Sequence, residues 1–168
     1  MKKKLQLFLI LLLACANCFA QPKADSAVAM HYKTNDFDCA IFPASAFVFV
    51  PAIKRFTPTK EEVDKAELAL KTQLEALNRP LVNQGGRGPI IHKNLKKYGR
   101  QYFGYVDSSG HRILYINSIW KEGEEKLGFY AGFLKEIQMV MDGGSYYWNI
   151  KYDLDTNKLV ELEVNGLG

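Results

Sequence analysis

The densest run of chemically able side chains is His92-Lys93-Asn94-Leu95-Lys96-Lys97-Tyr98-Gly99-Arg100-Gln101-Tyr102. Lysine and arginine draw anions to a surface, and an interleaved tyrosine gives a guanidinium a ring to rest on. Between residues 79 and 112 stand Arg79, Arg87, Lys93, Lys96, Lys97, Arg100 and Arg112, against Asp107 alone. Lys93, Lys96, Lys97, Arg100, Tyr102, Tyr105 and Arg112 are the candidate binding residues. Arg112 is expected against the Tyr105 ring, with Lys93, Lys96, Lys97 and Arg100 at a mobile rim. Such a surface fits an anionic glycan, a lipid head group or an acidic protein. A solvated sheet edge uses the same residues and needs no ligand.

The other residues capable of chemistry are scattered. His31, His92 and His111 lack ligand spacing, and with Cys39 they do not make a four-ligand zinc site. Cys39, beside Ala40-Ile41-Phe42, reads as a small buried apolar residue. A Cys39–His111 nucleophile pair lacks an orienting third group. Asp142 is explained as a turn residue before Gly143 and Gly144. The loop from Asn83 to Pro89 holds glycines and Arg87, but a phosphate cradle needs a strand before it and a helix start after it. Here a helix precedes the loop, and Pro89-Ile90-Ile91 follows. No catalytic residue, metal ligand or cofactor is assigned.

The first residues set the compartment. Met-Lys-Lys-Lys, the aliphatic run from Leu5 to Leu13 and small residues before Gln21 have the form of a secretory signal peptide. The cut is expected between Ala20 and Gln21, giving a secreted or periplasmic protein. Leu12-Leu13-Ala14-Cys15 offers a competing reading, a lipobox that anchors the protein to a membrane surface through Cys15. No other stretch is apolar enough to span a bilayer. Loss of residues 1–20 leaves 19 basic against 18 acidic residues, a net charge of +1 in 148 residues. Nucleic acid rewards cations and stacking rings together, but an exported chain of near-zero charge does not suit it.

The elements that would position these residues follow from periodicity. Residues 21–45 form a leader, polar and aperiodic to residue 37 and expected to be loosely ordered; one domain covers 46–168. Ala46 to Pro51 predicts a strand closed by proline. Thr57-Pro58-Thr59 announces a helix, started by Thr57 with Pro58 first or by Thr59 with a Glu62 capping box. Val63, Ala66, Leu70, Leu74 and Leu77 give that helix one apolar face. Glu61–Lys65 and Glu67–Lys71 are expected as outward pairs. Residues 98–107 and 111–118 form a hairpin around Asp107-Ser108-Ser109-Gly110, a type I turn with a glycine bulge. Its expected register sets Val106 opposite His111, Tyr105 opposite Arg112 and Tyr102 opposite Tyr115.

A second hairpin is predicted across Asp142-Gly143-Gly144, with Ile137 and Met139 on the same face as Trp148 and Ile150. Val160, Leu162 and Val164 give the last strand, with an odd-numbered turn keeping Glu161 and Glu163 out of the core. The fold class is α+β: one long helix packed on a curved antiparallel sheet of about five to six strands, its other face free as a concave surface.

Two stretches carry a resemblance. Tyr98-Gly-Arg-Gln-Tyr-Phe-Gly-Tyr-Val with Ile116-Asn117, and Val140-Met-Asp-Gly-Gly-Ser-Tyr-Tyr-Trp-Asn-Ile-Lys-Tyr-Asp with Val164-Asn165-Gly166, resemble a group of small, uncharacterised secreted proteins of Gram-negative bacteria. The resemblance covers residues 46–168 and carries over no activity and no catalytic residue. The element order is also similar to the cystatin-like superfold, which hosts protease inhibitors, nuclear-transport-factor-like enzymes and binding modules. Gln138 to Gly143 is similar to the inhibitor family's Gln-x-Val-x-Gly hairpin, but has one more residue before the glycine and comes later in the chain. No inhibitory role is carried over from it. The expected function is a non-enzymatic binding or envelope-associated module. The alternative is a small-ligand enzyme, or a protein like a protease inhibitor, using the open sheet face.

Overall fold

Thr59 starts the long helix as its neighbours announce. Its hydroxyl accepts from the Glu62 amide at 3.2 Å, and the Glu62 carboxylate accepts from the Thr59 amide at 3.0 Å. The capping box thus satisfies two backbone donors that a helix start would leave bare. The computed structural model describes residues 28–86, 88–121 and 132–168. In it the helix, α1, runs Lys60–Leu77 and buries Val63, Ala66, Ala69, Leu70 and Leu74. Leu77, expected beside them, is 41% exposed and lines a shallow apolar cleft with Leu162 and Val164.

Among the described residues the sheet has seven strands: β1 Met30–Lys33, β2 Asp38–Ile41, β3 Lys54–Phe56, β4 Tyr98–Val106, β5 Arg112–Trp120, β6 Tyr147–Asp153 and β7 Lys158–Val164. Their order is β1-β2-β4-β5-β6-β7, and β3 pairs with β4 beyond β2. All pairs are antiparallel except β2 with β4, where Asp38 lies opposite Gly99 and Ile41 opposite Tyr102. One helix on a mostly antiparallel sheet is an α+β arrangement. The helix-side core includes Leu70, Leu74, Tyr102, Ile116, Trp148 and Ile150. The second face is not free: Phe42, Val48, Phe103, Ile119 and Phe133 form a smaller core there. No helix among the described residues is long and apolar enough to cross a membrane.

Several expectations are corrected. The leader is ordered from residue 28 on, and β2 is buried at all four positions. A strand covered on both faces shows no alternation, so periodicity passes over it. Residues 46–51 form no strand; Val48 is buried while Phe47 and Phe49 are 65% and 71% exposed. The β4–β5 register is one residue away from the expected one, with Val106 opposite Arg112 and Tyr102 opposite Ile116. Asp107 and His111 close the turn themselves, the Asp107 amide donating to the His111 carbonyl at 3.0 Å. Gly110 takes the bulge position at φ +86°.

The hairpin across Asp142-Gly143-Gly144 is absent. Met139 and Met141 are 54% and 87% exposed, and β6 pairs instead with β5, Trp148 opposite Ser118. Trp148 and Ile150 are core residues, as the alternation of their own strand predicts. The segment from Phe133 to Asp142 crosses the second face, held by side-chain amides in place of a strand. Gln101 donates to the Phe133 and Glu136 carbonyls, both at 2.8 Å, and accepts from the Gln138 amide at 2.9 Å. Asn117 donates to the Gln138 carbonyl at 2.8 Å, and Asn165 donates to that of Val140 at 2.5 Å.

The last turn also differs. Asp153 pairs with Lys158, so four residues separate the strands and Leu159, not Val160, enters the core. A bulge at Glu161, φ +52°, then shifts the frame so that Leu162 and Val164 pack on the helix side.

Candidate functional site

Two short 3-10 turns, Ile91–Lys93 and Leu95–Lys97, feed the chain into β4. Ile91 is buried and anchors them, which leaves Lys93, Lys96 and Lys97 exposed. These lysines, with Lys71 from α1 and Asp36 from the β1–β2 turn, line a cleft of about 370 Å³. Asp36 bridges two of them, 2.7 Å from Lys71 Nζ and 2.9 Å from Lys96 Nζ. The hydrogen bonds from Lys71 and Lys96 lower the pKa of Asp36 to about 2.

Beneath the cleft lies a buried polar pair. Arg100 Nε and Nη2 donate to the two carboxylate oxygens of Glu67 at 2.6 and 2.9 Å, and Arg100 Nη1 donates to the Leu95 carbonyl at 2.7 Å. The Tyr102 hydroxyl donates to Glu67 at 2.8 Å, and burial pushes its pKa well up. Arg100 and Tyr102 are fully buried. This corrects both the expected rim position of Arg100 and the expected outward Glu67–Lys71 pair. Even-numbered residues of β4 face α1, and Glu67 is the helix residue that neutralises the guanidinium.

The candidate residues therefore separate into distinct places. Lys93, Lys96 and Lys97 share the cleft rim, while Arg100 and Tyr102 lie inside the protein. Tyr105 is buried on the opposite sheet face, where burial raises its pKa. Arg112 stands at the far end of the β4–β5 ladder. Its guanidinium lies 4.3 Å over the Phe56 ring, and Nη2 is 2.7 Å from Glu62, so Phe56 takes the part expected of Tyr105. Ala20, Gln21 and the lipidation candidate Cys15 lie outside the described residues, as does Arg87.

The remaining chemistry is muted. The Cys39 thiol is buried, and desolvation raises its pKa. His111 sits 3.0 Å from Asp153 rather than beside Cys39. Among the described residues, no group of three or more histidine, cysteine or acidic side chains is placed to hold a metal ion. The cleft carries the charge of Lys71, Lys93, Lys96 and Lys97, and its exposed carboxylate, Asp36, is held ionised. No protein-family model, curated protein or solved structure matches this chain. Sequence reasoning missed Asp36 and Lys71 as cleft residues. Asp36 falls in the expected leader, and Lys71 stands in the expected outward helix pair with Glu67.

Proposed function

We propose that this is an exported, non-enzymatic binding module that holds an anionic partner at the lysine cleft. The observation that carries the reading is the meeting of Lys71, Lys93, Lys96 and Lys97 around one opening. Both carboxylates of that lining are already engaged, Asp36 by two lysines and Glu67 by Arg100. An anionic glycan, a lipid head group or an acidic protein would meet net positive charge there. Export rests on the basic start, the Leu5–Leu13 run and the small residues before Gln21. The order β3–α1–β4–β5–β6–β7, with β3 antiparallel to β4, supports a cystatin-like reading of the fold, the β1–β2 hairpin being an addition.

The test is retention of the exported protein on a sulfated polysaccharide, on phosphatidylglycerol vesicles and on an immobilised acidic peptide. Retention on one of these at low salt should fall steeply by about 150 mM, where the screening length is ~8 Å. Lys96→Glu with Lys97→Glu should abolish it, while Lys54→Glu with Lys158→Glu, a matched change away from the cleft, should not. No retention on any of the three overturns the reading. Intact mass tests the processing: a chain beginning at Gln21 supports free export, and a lipidated chain beginning at Cys15 replaces it with membrane anchoring.

A further inference from the structure

We infer that the second face of the sheet carries a binding site for a single uncharged saccharide ring, independent of the lysine cleft. The site is a groove of about 140 Å³ between β5, β6 and the Phe133–Asp142 crossing. Its lining includes Phe49, Tyr115, Asn117, Gln138, Asn149 and Asn165, and among the described residues no lysine, arginine, histidine or carboxylate. That composition is selective. A phosphate or carboxylate would find no cation among the described lining residues, and a purely apolar ligand would strip water from the amides without replacing their hydrogen bonds.

Two polar groups are left over. Asn165 spends its amide N–H groups on the Val140 and Asp142 carbonyls of the crossing segment, and Asn117 spends its own on the Gln138 carbonyl and the Gln101 side chain. Asn149, directly opposite Asn117 in the ladder, makes no side-chain hydrogen bond among the described residues. The Tyr115 hydroxyl likewise has no partner among them, and burial raises its pKa to about 12, so it remains a donor at physiological pH. Both groups line the groove. An amide supplies donors and an acceptor, and a phenol supplies one donor and an acceptor, which together match neighbouring sugar hydroxyls.

The aromatic side of the groove is built at some cost. Val48 is buried and forces its neighbours outward, leaving Phe47 and Phe49 exposed and packed edge-on to each other at 4.6 Å. Two adjoining bare phenyl rings form an apolar patch of the kind that marks an interaction surface. The electron-rich face of such a ring attracts the polarised C–H groups on one side of a pyranose, leaving the hydroxyls at its edge for Asn149 and Tyr115. The groove is smaller than pockets for drug-sized ligands, ~300–1,000 Å³, which limits it to one ring and to weak binding.

The test is a titration of the isotope-labelled protein with methyl glycosides of glucose, galactose and N-acetylglucosamine, followed by amide NMR. At least one glycoside should shift the side-chain amide signal of Asn149, with an affinity unchanged by added salt and by Lys96→Glu with Lys97→Glu. Phe49→Ala and Asn149→Ala should each weaken binding by about five- to tenfold with the backbone spectrum otherwise preserved. Failure of all three glycosides to move these signals, or equal affinity in both variants, overturns the site. So does displacement of an apolar dye from the groove by hexanol but by no glycoside, which would assign it to an apolar ligand. None of these outcomes bears on the lysine cleft, whose binding is salt-dependent.

Discussion

Glu67 on α1 and Arg100 on β4 face each other through two hydrogen bonds of 2.6 and 2.9 Å, both side chains shut away from water. Removing one partner leaves a buried charge without its counterion, at a cost of about 3–5 kcal/mol. Arg100→Met and Glu67→Leu should each destabilise by that order in denaturant unfolding. The double variant should be less destabilised than either single one, because it strands no charge. A double variant that loses the sum of both would show the two residues acting separately.

Among the described residues Trp148 is the largest fully buried side chain, packed edge-on against Tyr98 at 5.5 Å. Trp148→Ala should cost about 3–5 kcal/mol, the usual range for a large core aromatic. Met141→Ala, at a side chain 87% exposed, should stay within about 0.5 kcal/mol. Urea midpoints of the two variants separate the buried strand from the exposed crossing.

The hydrogen bond from His111 to Asp153 raises the imidazole pKa above 6.5. Burial pushes the Asp153 carboxyl up, but hydrogen bonds from Thr156, Asp155 and His111 outweigh it and hold the pKa low. A raised imidazole pKa stabilises the fold fully below its unfolded value, and that contribution is lost as pH rises through the folded pKa. The lowered carboxyl acts oppositely, contributing above about 3.9 and losing its effect as pH falls through its folded value. The pair is therefore strongest between these limits. The NMR titration of His111 should have a midpoint above 6.5 that moves back toward 6.5 in Asp153→Asn. A midpoint at or below 6.5 in the unmodified protein would refute the coupling.

Asp36 competes with any anion for Lys71 and Lys96. Asp36→Asn removes the negative charge while keeping the shape of the side chain. Retention on the anionic matrix that binds the unmodified protein should then extend to higher salt. Elution at unchanged or lower salt would mean that these two ammonium groups do not meet the ligand.

Some of this was legible residue by residue, and some was not. Thr59 and Glu62 announce the helix because a capping box is local, and Asp107 with Gly110 announces its turn for the same reason. The register slipped because assigning Asp107 to the loop rather than to its closing pair moves every later partner by one. Ile137, Met139 and Met141 alternate like a strand, yet their segment is satisfied by Gln101, Asn117 and Asn165, donors and acceptors distant in sequence. The grouping of Lys93, Lys96 and Lys97 was visible in their spacing. The burial of Arg100 was not, since Glu67 is equally well spaced for an exposed pair with Lys71 and only the fold turns it inward.

The parallel pairing of Asp38 with Gly99 also joins segments that are far apart in the chain. A chain made from its N-terminus presents β1 and β2 first, yet β2 has no partner on β4 until β3, α1 and both 3-10 turns have been made. Closing that loop costs chain entropy before the contact offsets it, whereas β4 to β7 join neighbours by antiparallel pairing in sequence order. The β1–β2 hairpin therefore docks on an edge that strands made later provide.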